Sequence, residues 1–167
     1  TSKGILTETD PVKESQGQRL VELALARDLP GRWCAFRPQY IYGPYTNKRT
    51  YLDWFLERSA RNVAMAVPGE TKDQPVSVTH CDDVAALVAS VVGREAMAAD
   101  EVFNCGTDKL CTYKQVCAAA AKALKKTNGA LVATLDAGTK SSFPFRPNEE
   151  GFAVDVNKAK TTLNWPG

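Results

Sequence analysis

The stretch "RPQYIYGP", residues 37–44, marks the place where a buried strand ends. It closes the apolar run of residues 33–36, which follows a Pro-Gly turn signal at residues 30–31. A short apolar run with such boundaries is typical of a buried strand, so we expect a strand over residues 31–38. Aromatic rings and cations come soon after it: Tyr40, Tyr42, Tyr45, Lys48 and Arg49. The end of this strand is therefore predicted to bring rings and positive charge to one place.

Helical and strand-like patterns alternate on both sides of this stretch. Helical patterns occupy the later part of residues 11–28 and residues 50–62, 82–94, 112–126 and 155–165. Strand-like runs occupy residues 63–69, 74–80, 101–106 and 130–135. Thr112 and Gln115 have the spacing of a helix capping box. This alternation predicts an α/β fold with parallel strands.

The start of the pattern leaves two interpretations open. A doubly wound dinucleotide-binding fold carries Gly-x-Gly-x-x-Gly in its first strand–helix turn. This sequence contains no such motif, and its first clear pattern is a helix. Either the chain binds no dinucleotide, or it is the C-terminal part of a longer protein.

Composition narrows the class of protein. The 167 residues are 44% apolar and 24% charged, which is ordinary for a soluble globular chain. The net charge of +2 is too small to indicate nucleic acid binding, so any basic surface must be local. We expect no membrane insertion, because no window approaches 18 uncharged apolar residues, and "TSKGILTETDP" contains no signal core.

The cysteine pattern argues against a metal site. The five cysteines are odd in number and contain no Cys-x-x-Cys, and His80 is the single histidine. We therefore expect reduced thiols and no zinc. Asp82 and Asp83 could attract Mg²⁺, but adjacent acids at a predicted helix start are better explained as helix capping.

Four short stretches together resemble the extended short-chain dehydrogenase/reductases, the family of nucleotide-sugar epimerases and dehydratases. They are "RPQYIYGP" (37–44), "VTHCDDVAALV" (78–88), "EVFNCG" (101–106) and "DVNKAKTTLNW" (155–165). They occur in the family's order across almost the whole chain. A narrower similarity, in residues 40–69 and in "SSFPFR" and the residues after it, is to the chloroplast stem-loop-binding proteins. These are atypical members of the family that are associated with plastid RNA and ribosomes.

The resemblance implies the C-terminal part of a Rossmann-type doubly wound parallel sheet plus a small substrate domain. Residues 1–44 would end the Rossmann-like domain. Residues 45–167 would form a mixed, substrate-type domain, with Rossmann segments returning at about 75–106. The N-terminal nucleotide-binding half would be absent from this chain.

The family's chemical positions are altered. Active members carry Tyr-x-x-x-Lys before this strand, usually with Glu four residues after the lysine. If Glu22 is that acid, the lysine position holds Gln18 and the tyrosine position holds Glu14. The substrate-side asparagine is replaced by Tyr40, and the arginine that grips a sugar diphosphate is replaced by Val76. We therefore assign no catalytic residue, and we leave open a family-type, Mg²⁺-dependent endoribonuclease activity.

The remaining site predictions follow from the same resemblance and from charge. Arg37, Pro38 and Tyr40 are expected beside the inherited cofactor cleft. Residues expected to contact RNA or another anion are Tyr45, Lys48, Arg49, Arg58, Arg61, His80 and Arg146. The competing interpretation of the arginines on residues 50–62 is a solvated helix face. That of His80 is a structural histidine satisfied beside Asp82 and Asp83.

Three functions remain open on these grounds. The first is a non-redox, RNA-associated chloroplast protein, an accessory subunit bound to structured RNA, the ribosome or another organellar complex, alone or as an oligomer with related proteins. The second is an NAD(P)-dependent nucleotide-sugar epimerase or dehydratase, with NAD(P) bound in the complete protein. The third is a reductase-fold structural subunit of an organellar complex.

Overall fold

The computed structural model of the chain describes residues 4–46, 51–69, 73–136, 139, 142–145 and 152–167. Its helices are α1 (Gly17–Asp28), α2 (Leu52–Ala60), α3 (Cys81–Ala89), α4 (Glu95–Ala98), α5 (Tyr113–Ala123) and α6 (Asn157–Leu163). Its strands are β1 (Ile5–Leu6), β2 (Cys34–Pro38), β3 (Ile41–Tyr42), β4 (Met65–Pro68), β5 (Pro75–Val76), β6 (Thr79–His80), β7 (Glu101–Cys105), β8 (Cys111–Thr112), β9 (Val132–Leu135) and β10 (Ala153–Val154). None of the helices in these segments combines the length and the apolar character needed to cross a membrane.

Most strand pairs in the described segments are parallel. β1 pairs with β10, β2 with β7, β3 with β6 and β4 with β9 in parallel, whereas β5 and β8 are antiparallel. In the pair of β2 and β7, Cys34 lies opposite Glu101 and Pro38 lies opposite Cys105. Parallel neighbours require crossover connections, which the helices between them supply. The predicted α/β class with parallel strands is confirmed.

Three predicted elements have different bounds for local reasons. The strand expected over residues 31–38 begins only at Cys34. The helix expected over residues 82–94 ends at Ala89 as α3, and the chain then turns at Gly93, whose φ of +79° favours glycine, before the separate short helix α4 begins at Glu95. The run at residues 74–80 forms β5 and β6 separately, since the Ser77 N–H between them donates to a different chain segment, at the carbonyl of Phe152.

The capping of α5 is confirmed as predicted. The Thr112 hydroxyl accepts the N–H of Gln115 at 3.2 Å, and the Gln115 side chain accepts the N–H of Thr112 at 2.8 Å. Lys126, which follows α5 in the sequence, caps the C-terminal end of α2. Its ammonium donates to the carbonyl of Ala60 at 3.1 Å. A cation at that position satisfies a terminal carbonyl and the negative end of the α2 dipole.

Two hydrophobic cores organise the described residues. The β4 core lies among β4, α2 and α5 and is built from Phe55, Met65, Val67, Val76, Tyr113, Val116, Cys117, Ala120 and Phe145. The β7 core lies among β7, α3 and α6 and is built from Leu87, Ala98, Phe103, Cys105, Val154, Val156, Ala159, Leu163 and Trp165. The stretch at residues 37–44 leaves β2, which packs on the β7 core, and enters the β4 core at Tyr40.

An ion pair fastens α1 to β2. Glu22 is the buried residue of α1, and its carboxylate accepts two hydrogen bonds from the Arg37 guanidinium, at 2.8 and 2.6 Å. Arg19 donates a third bond to the same carboxylate at 3.1 Å. The bonds from Arg37, supported by Arg19, lower the pKa of Glu22 despite the opposing effect of burial. Glu22, which the sequence analysis aligned with the acid that follows the family's lysine, therefore anchors α1 to β2.

We predict that Glu22→Gln loosens α1. Because the hydrogen bonds of Glu22 are to charged groups, their loss should cost about 1.5–3 kcal/mol at neutral pH. Hydrogen exchange of the α1 amides measures the effect as faster local opening. The lowered pKa means that the contribution is complete above the ordinary carboxyl value of 4.5 and is lost as the pH falls through the folded-state value. The difference between the two proteins should therefore shrink on acidification.

The matched control is Glu57→Gln, which breaks the exposed pair of Glu57 and Arg61 at 2.8 Å. Such surface pairs contribute at most about 1 kcal/mol, so α1 exchange should not change. Equal effects of the two substitutions on α1 would show that the bond to Arg37 does not anchor this helix.

Candidate functional site

The first residues of the inherited cleft are used for packing. The Arg37 guanidinium donates two hydrogen bonds to the carboxylate of Glu22. Pro38 ends β2 and is exposed. The Tyr40 ring lies in the β4 core, 4.4 Å from the Phe145 ring centre and 5.4 Å from those of Tyr51 and Phe152. Arg37 and Tyr40 therefore do not fit the role of holding a nicotinamide.

The backbone at Tyr40 explains how the ring reaches the core. Its φ of +35° is rare for a residue with a side chain and redirects the chain between β2 and β3. Phe145 forms the centre of the resulting aromatic cluster, with the rings of Tyr113, Tyr51, Phe55 and Phe143 at 5.3, 5.8, 5.8 and 5.9 Å. The "FPFR" motif that supported the narrower resemblance thus contributes core packing through its second phenylalanine.

The carboxyl ends of β3 and β6 form the most polar part of this region. The Tyr42 ring packs edge-on against the His80 ring with centres 5.2 Å apart. Burial raises the pKa of Tyr42, and the nearby Asp83, Cys111 and Cys81 add to that rise. Gly43 lies so close that a Cβ there would overlap the Cys81 sulfur and stand 3.1 Å from His80 Nε2. A glycine is therefore required at this point, where its φ is +136°.

His80 serves as the cap of α3. Its Nδ1 accepts the N–H of Asp82 at 3.3 Å, which assigns the ring proton to Nε2. The possible ligand atoms of His80, Cys81 and Asp82 lie within 4.8 Å of one another. The cap uses the His80 nitrogen, and the positive end of the α3 dipole opposes a cation at this point. We therefore assign His80 to helix capping rather than to a metal site.

The two arginines of residues 50–62 that were predicted to contact RNA have different partners. The Arg58 guanidinium lies 4.4 Å above the centre of the Trp54 ring and donates to Ser142 Oγ at 2.9 Å and to the carbonyl of Ala64 at 3.2 Å. Arg61 is exposed and pairs with Glu57 on the same helix. Arg58 is thus a packing residue. Lys48, Arg49 and Arg146 lie outside the described residues.

Tyr45 is the predicted aromatic contact residue, and its ring is open to solvent. Its side chain is fully exposed and its φ is +62°. Neither Tyr40 nor Tyr42 shares this property, because both rings pack against neighbours. Of the three tyrosines after β2, Tyr45 is the one able to stack on an external ring without unfolding the site.

A cleft between α2 and α5 was missed from the sequence. Its volume is about 560 Å³. It is lined by Tyr42, Leu52, Phe55, Leu56, Val78, Leu110, Cys111, Gln115, Val116, Ala119, Ala120 and Ala123. The signal in the sequence is the alanine run of α5, which is also typical of a helix that packs closely on its neighbours. Small side chains opposite Leu52 and Leu56 instead leave an apolar hollow.

The positions expected for catalysis are also located. Glu14 and Gln18 are exposed, and Glu14 pairs with Arg19 at 3.2 Å. Val76 is fully buried in β5 and belongs to the β4 core. None of these three side chains provides an acid–base group supported by a neighbouring lysine.

Comparison with known proteins establishes the fold. No protein-family model matches the chain, and no curated protein matches it either. The UDP-glucuronic acid 4-epimerase from Bacillus cereus, solved with NAD, has a TM-score of 0.73 at 14% identity, over 99% of this chain and 51% of that one. The dTDP-glucose 4,6-dehydratase DesIV from Streptomyces venezuelae, with NAD and TYD bound, has a TM-score of 0.71 at 18% identity. The match covers 97% of this chain and 49% of that one. Pal from Bacillus thuringiensis has a TM-score of 0.70 at 20% identity, and the match covers 99% of this chain and 52% of that one.

These matches confirm the predicted fold class. The chain has the C-terminal part of the Rossmann-type epimerase/dehydratase fold and spans about half the length of each of these structures. The structures that it resembles include NAD-dependent epimerases and dehydratases. The narrower resemblance to stem-loop-binding proteins stays a prediction.

We predict that Phe145→Ala destabilises the protein far more than Phe143→Ala. Phe145 is buried and central to the aromatic cluster, so its truncation should cost about 3–5 kcal/mol, whereas Phe143 is partly exposed. Urea unfolding followed by tryptophan fluorescence measures both losses. Similar losses would contradict the central place given to Phe145.

We also predict two classes of thiol. The five cysteines are free, and burial raises the pKa of Cys105 to about 12 and that of Cys117 to about 11. Iodoacetamide at pH 8, read by peptide mass spectrometry, should label these two only after unfolding in urea. The three half-buried thiols should react in the native protein, but slowly at Cys34 and Cys111, because burial raises the pKa of these two as well. Native labelling of Cys105 or Cys117 would contradict the packing described here.

Proposed function

We propose that this chain belongs to a non-redox protein that associates with structured RNA through the loop after β3. The observation that carries the proposal is the contrast among the three tyrosines. Tyr40 and Tyr42 are held by packing, whereas Tyr45 is fully exposed next to Lys48 and Arg49 in the sequence. An exposed ring followed closely in sequence by two cations suits stacking on an unpaired base combined with phosphate contacts.

The contacts of the residues beside the predicted cofactor cleft support the same proposal. Arg37 and Tyr40 do not fit a nicotinamide, and Glu14 and Gln18 stand where acid–base residues are expected. Arg58 is removed from the predicted contact set because its guanidinium is held by Trp54 and Ser142. We propose Tyr45, Lys48 and Arg49 as the RNA contact, and the exposed Arg61 stays a further predicted contact. The plastid location and an accessory role on a ribosome or another organellar complex are part of this proposal and rest on the sequence resemblance.

The experiment measures affinity for a fluorescein-labelled RNA hairpin by anisotropy over a range of NaCl concentrations. Tyr45→Ala should weaken binding by about 1–3 kcal/mol through lost stacking. Lys48→Ala with Arg49→Ala should reduce the slope of log affinity against log salt by about 1 for each lost phosphate contact. Mg²⁺ is omitted and then added, so that cleavage of the hairpin would be seen separately.

Lys13→Ala is the matched control, because Lys13 is an exposed cation remote in sequence from this loop. It should leave affinity and slope unchanged. Binding that does not depend on salt, or that responds equally to Lys13→Ala and to the double substitution, would refute an RNA contact at this loop.

An NAD(P)-dependent epimerase or dehydratase is the second candidate, favoured by the fold. The matched UDP-glucuronic acid 4-epimerase and DesIV were both solved with NAD. This candidate predicts that the complete gene product converts a UDP- or dTDP-linked sugar in the presence of NAD⁺, as detected by chromatography of the sugar nucleotide. Our proposal predicts no conversion.

A further inference from the structure

The cleft between α2 and α5 is large enough to hold a small molecule. Its volume of about 560 Å³ lies within the range of about 300–1,000 Å³ that is usual for ligand pockets. One wall is the side of α5 that carries Gln115, Ala119 and Ala123, and Leu52 and Leu56 of α2 line the cleft as well. The three α5 positions are each about one helical turn apart, so this wall is about 12 Å long. The cleft therefore suits an elongated molecule.

The lining of this cleft is apolar and carries no charge. Among the described residues, none of those that line it is acidic, basic or a histidine. Leu52, Leu56, Val78 and Leu110 are only partly buried, so apolar side chains there stay in contact with water. A ligand that covers such surface gains free energy, whereas a charged ligand would lose hydration without gaining an ionic partner. The lining thus selects against nucleotides, sugar phosphates and nicotinamide cofactors.

Tyr42 brings an unused hydroxyl to the cleft. Its ring is half-buried and packs edge-on against His80, but its hydroxyl makes no hydrogen bond to the described residues. Burial raises the pKa of Tyr42, and the nearby Asp83 adds to that rise, so the phenol keeps its proton at neutral pH and can donate it. An acceptor oxygen on a ligand would satisfy this group.

Two other polar side chains of the cleft are already engaged. The Gln115 side-chain oxygen accepts the N–H of Thr112 in the capping box, which leaves its amide N–H groups as donors. The Cys111 thiol donates to the carbonyl of Val76 at 3.7 Å, and burial raises its pKa. A raised pKa makes a thiol a poor nucleophile at neutral pH. The cleft therefore offers hydrogen-bond donors rather than a group that would form a covalent bond.

Acidic groups nearby distinguish a neutral ligand from an anionic one. A second hollow of about 310 Å³ shares Tyr42, Leu52 and Leu56 with the cleft, and Asp53 lines it. Asp83 lies close enough to Tyr42 to raise the pKa of its phenol. Carboxylates at these two places repel a negative head group. The arrangement therefore favours a neutral carbonyl compound over the corresponding carboxylate.

We propose that the cleft between α2 and α5 is a binding site for an uncharged, elongated apolar molecule with a carbonyl oxygen, such as a medium-chain ester, aldehyde or ketone. Its alkyl chain lies along Ala119 and Ala123 of α5. Its oxygen accepts a hydrogen bond from the Tyr42 hydroxyl. This site does not depend on the RNA contact proposed at Tyr45.

The test uses the 167-residue chain and the uncharged dye N-phenyl-1-naphthylamine, whose fluorescence rises in apolar sites. Methyl octanoate, octanoate and octylamine are then added as competitors at about pH 7.5. Methyl octanoate should displace the dye at least tenfold more effectively than octanoate or octylamine. Methyl hexanoate should bind more weakly than methyl octanoate, by about fourfold for each methylene removed.

Ala119→Leu and Ala118→Leu form the matched pair of variants. Both alanines are exposed on α5, and Ala119 lines the cleft whereas Ala118 is not among its lining residues. Leucine is a good helix former, so circular dichroism should show both variants folded. Ala119→Leu should weaken dye and ester binding at least tenfold, because the added side chain fills the cleft. Ala118→Leu should leave both affinities unchanged.

Tyr42→Phe separates the hydrogen bond from the apolar contact. It keeps the ring and removes the donor, so ester affinity should fall about two- to tenfold. Binding of the dye, which carries no carbonyl, should stay unchanged. NMR of the protein labelled with ¹³C in its alanine methyl groups should show that the ester shifts the signals of Ala119 and Ala123 and leaves that of Ala118 in place.

Five results would overturn the proposal. Three of them concern binding: no rise in dye fluorescence, equal losses in Ala118→Leu and Ala119→Leu, or stronger displacement by octanoate or octylamine than by the ester. The fourth is an equal effect of Tyr42→Phe on dye and ester. The fifth is a dimer of the chain that Ala119→Leu prevents, because a second copy would then occupy the cleft.

Discussion

The packing of the Tyr40 ring against Phe145 is the contact on which the rest of the arrangement depends. β2 belongs to the β7 core, and two residues after it the Tyr40 ring enters the β4 core. The left-handed backbone at Tyr40 makes this crossing in a single step. The backbone conformation of Tyr40 sets the direction of β3. It thereby also sets the position of Tyr42 beside His80. The cost of the unusual backbone is offset by burial of an aromatic ring among other rings.

This constraint also limits what the site can do. An epimerase-type cleft needs polar side chains at the end of β2 that are free to bind a cofactor or a sugar. Here Arg37 is bound to Glu22, and the partly buried Tyr40 ring packs against other aromatic rings. Neither side chain is therefore free to serve as such a polar group. Among the described residues, Tyr45 is exposed after β3, and an apolar cleft lies between α2 and α5.

Local signals in the sequence predicted much of the fold but little of the site. The capping box of Thr112 and Gln115 and the strand ending at Pro38 depend on near neighbours, so spacing alone was enough to find them. The contact of Tyr40 with Phe145 joins residues far apart in sequence, and no local pattern contains it.

The arginines show the same limit. Arg58 and Arg61 look equivalent in the sequence, since both are cations on one amphipathic helix. Only the fold shows that Arg58 lies on Trp54 and bonds to Ser142, whereas Arg61 is exposed. The exposure of the apolar side chains of α1 could not be predicted either. The apolar pattern of the helix predicts that one side is buried, but it does not show which residues cover that side.

The central proposal is that the stretch after β2 serves packing through Tyr40, with Tyr45 as its exposed RNA contact. Chemical-shift mapping on the ¹⁵N-labelled protein, titrated in parallel with NAD⁺ and with an RNA hairpin, tests it most directly. We expect the hairpin to shift the amides of Tyr45 and Thr46, and NAD⁺ to leave those of Arg37, Gln39 and Tyr40 unchanged. Saturable shifts at Arg37 and Tyr40 with NAD⁺, without shifts at Tyr45 with RNA, would contradict the account.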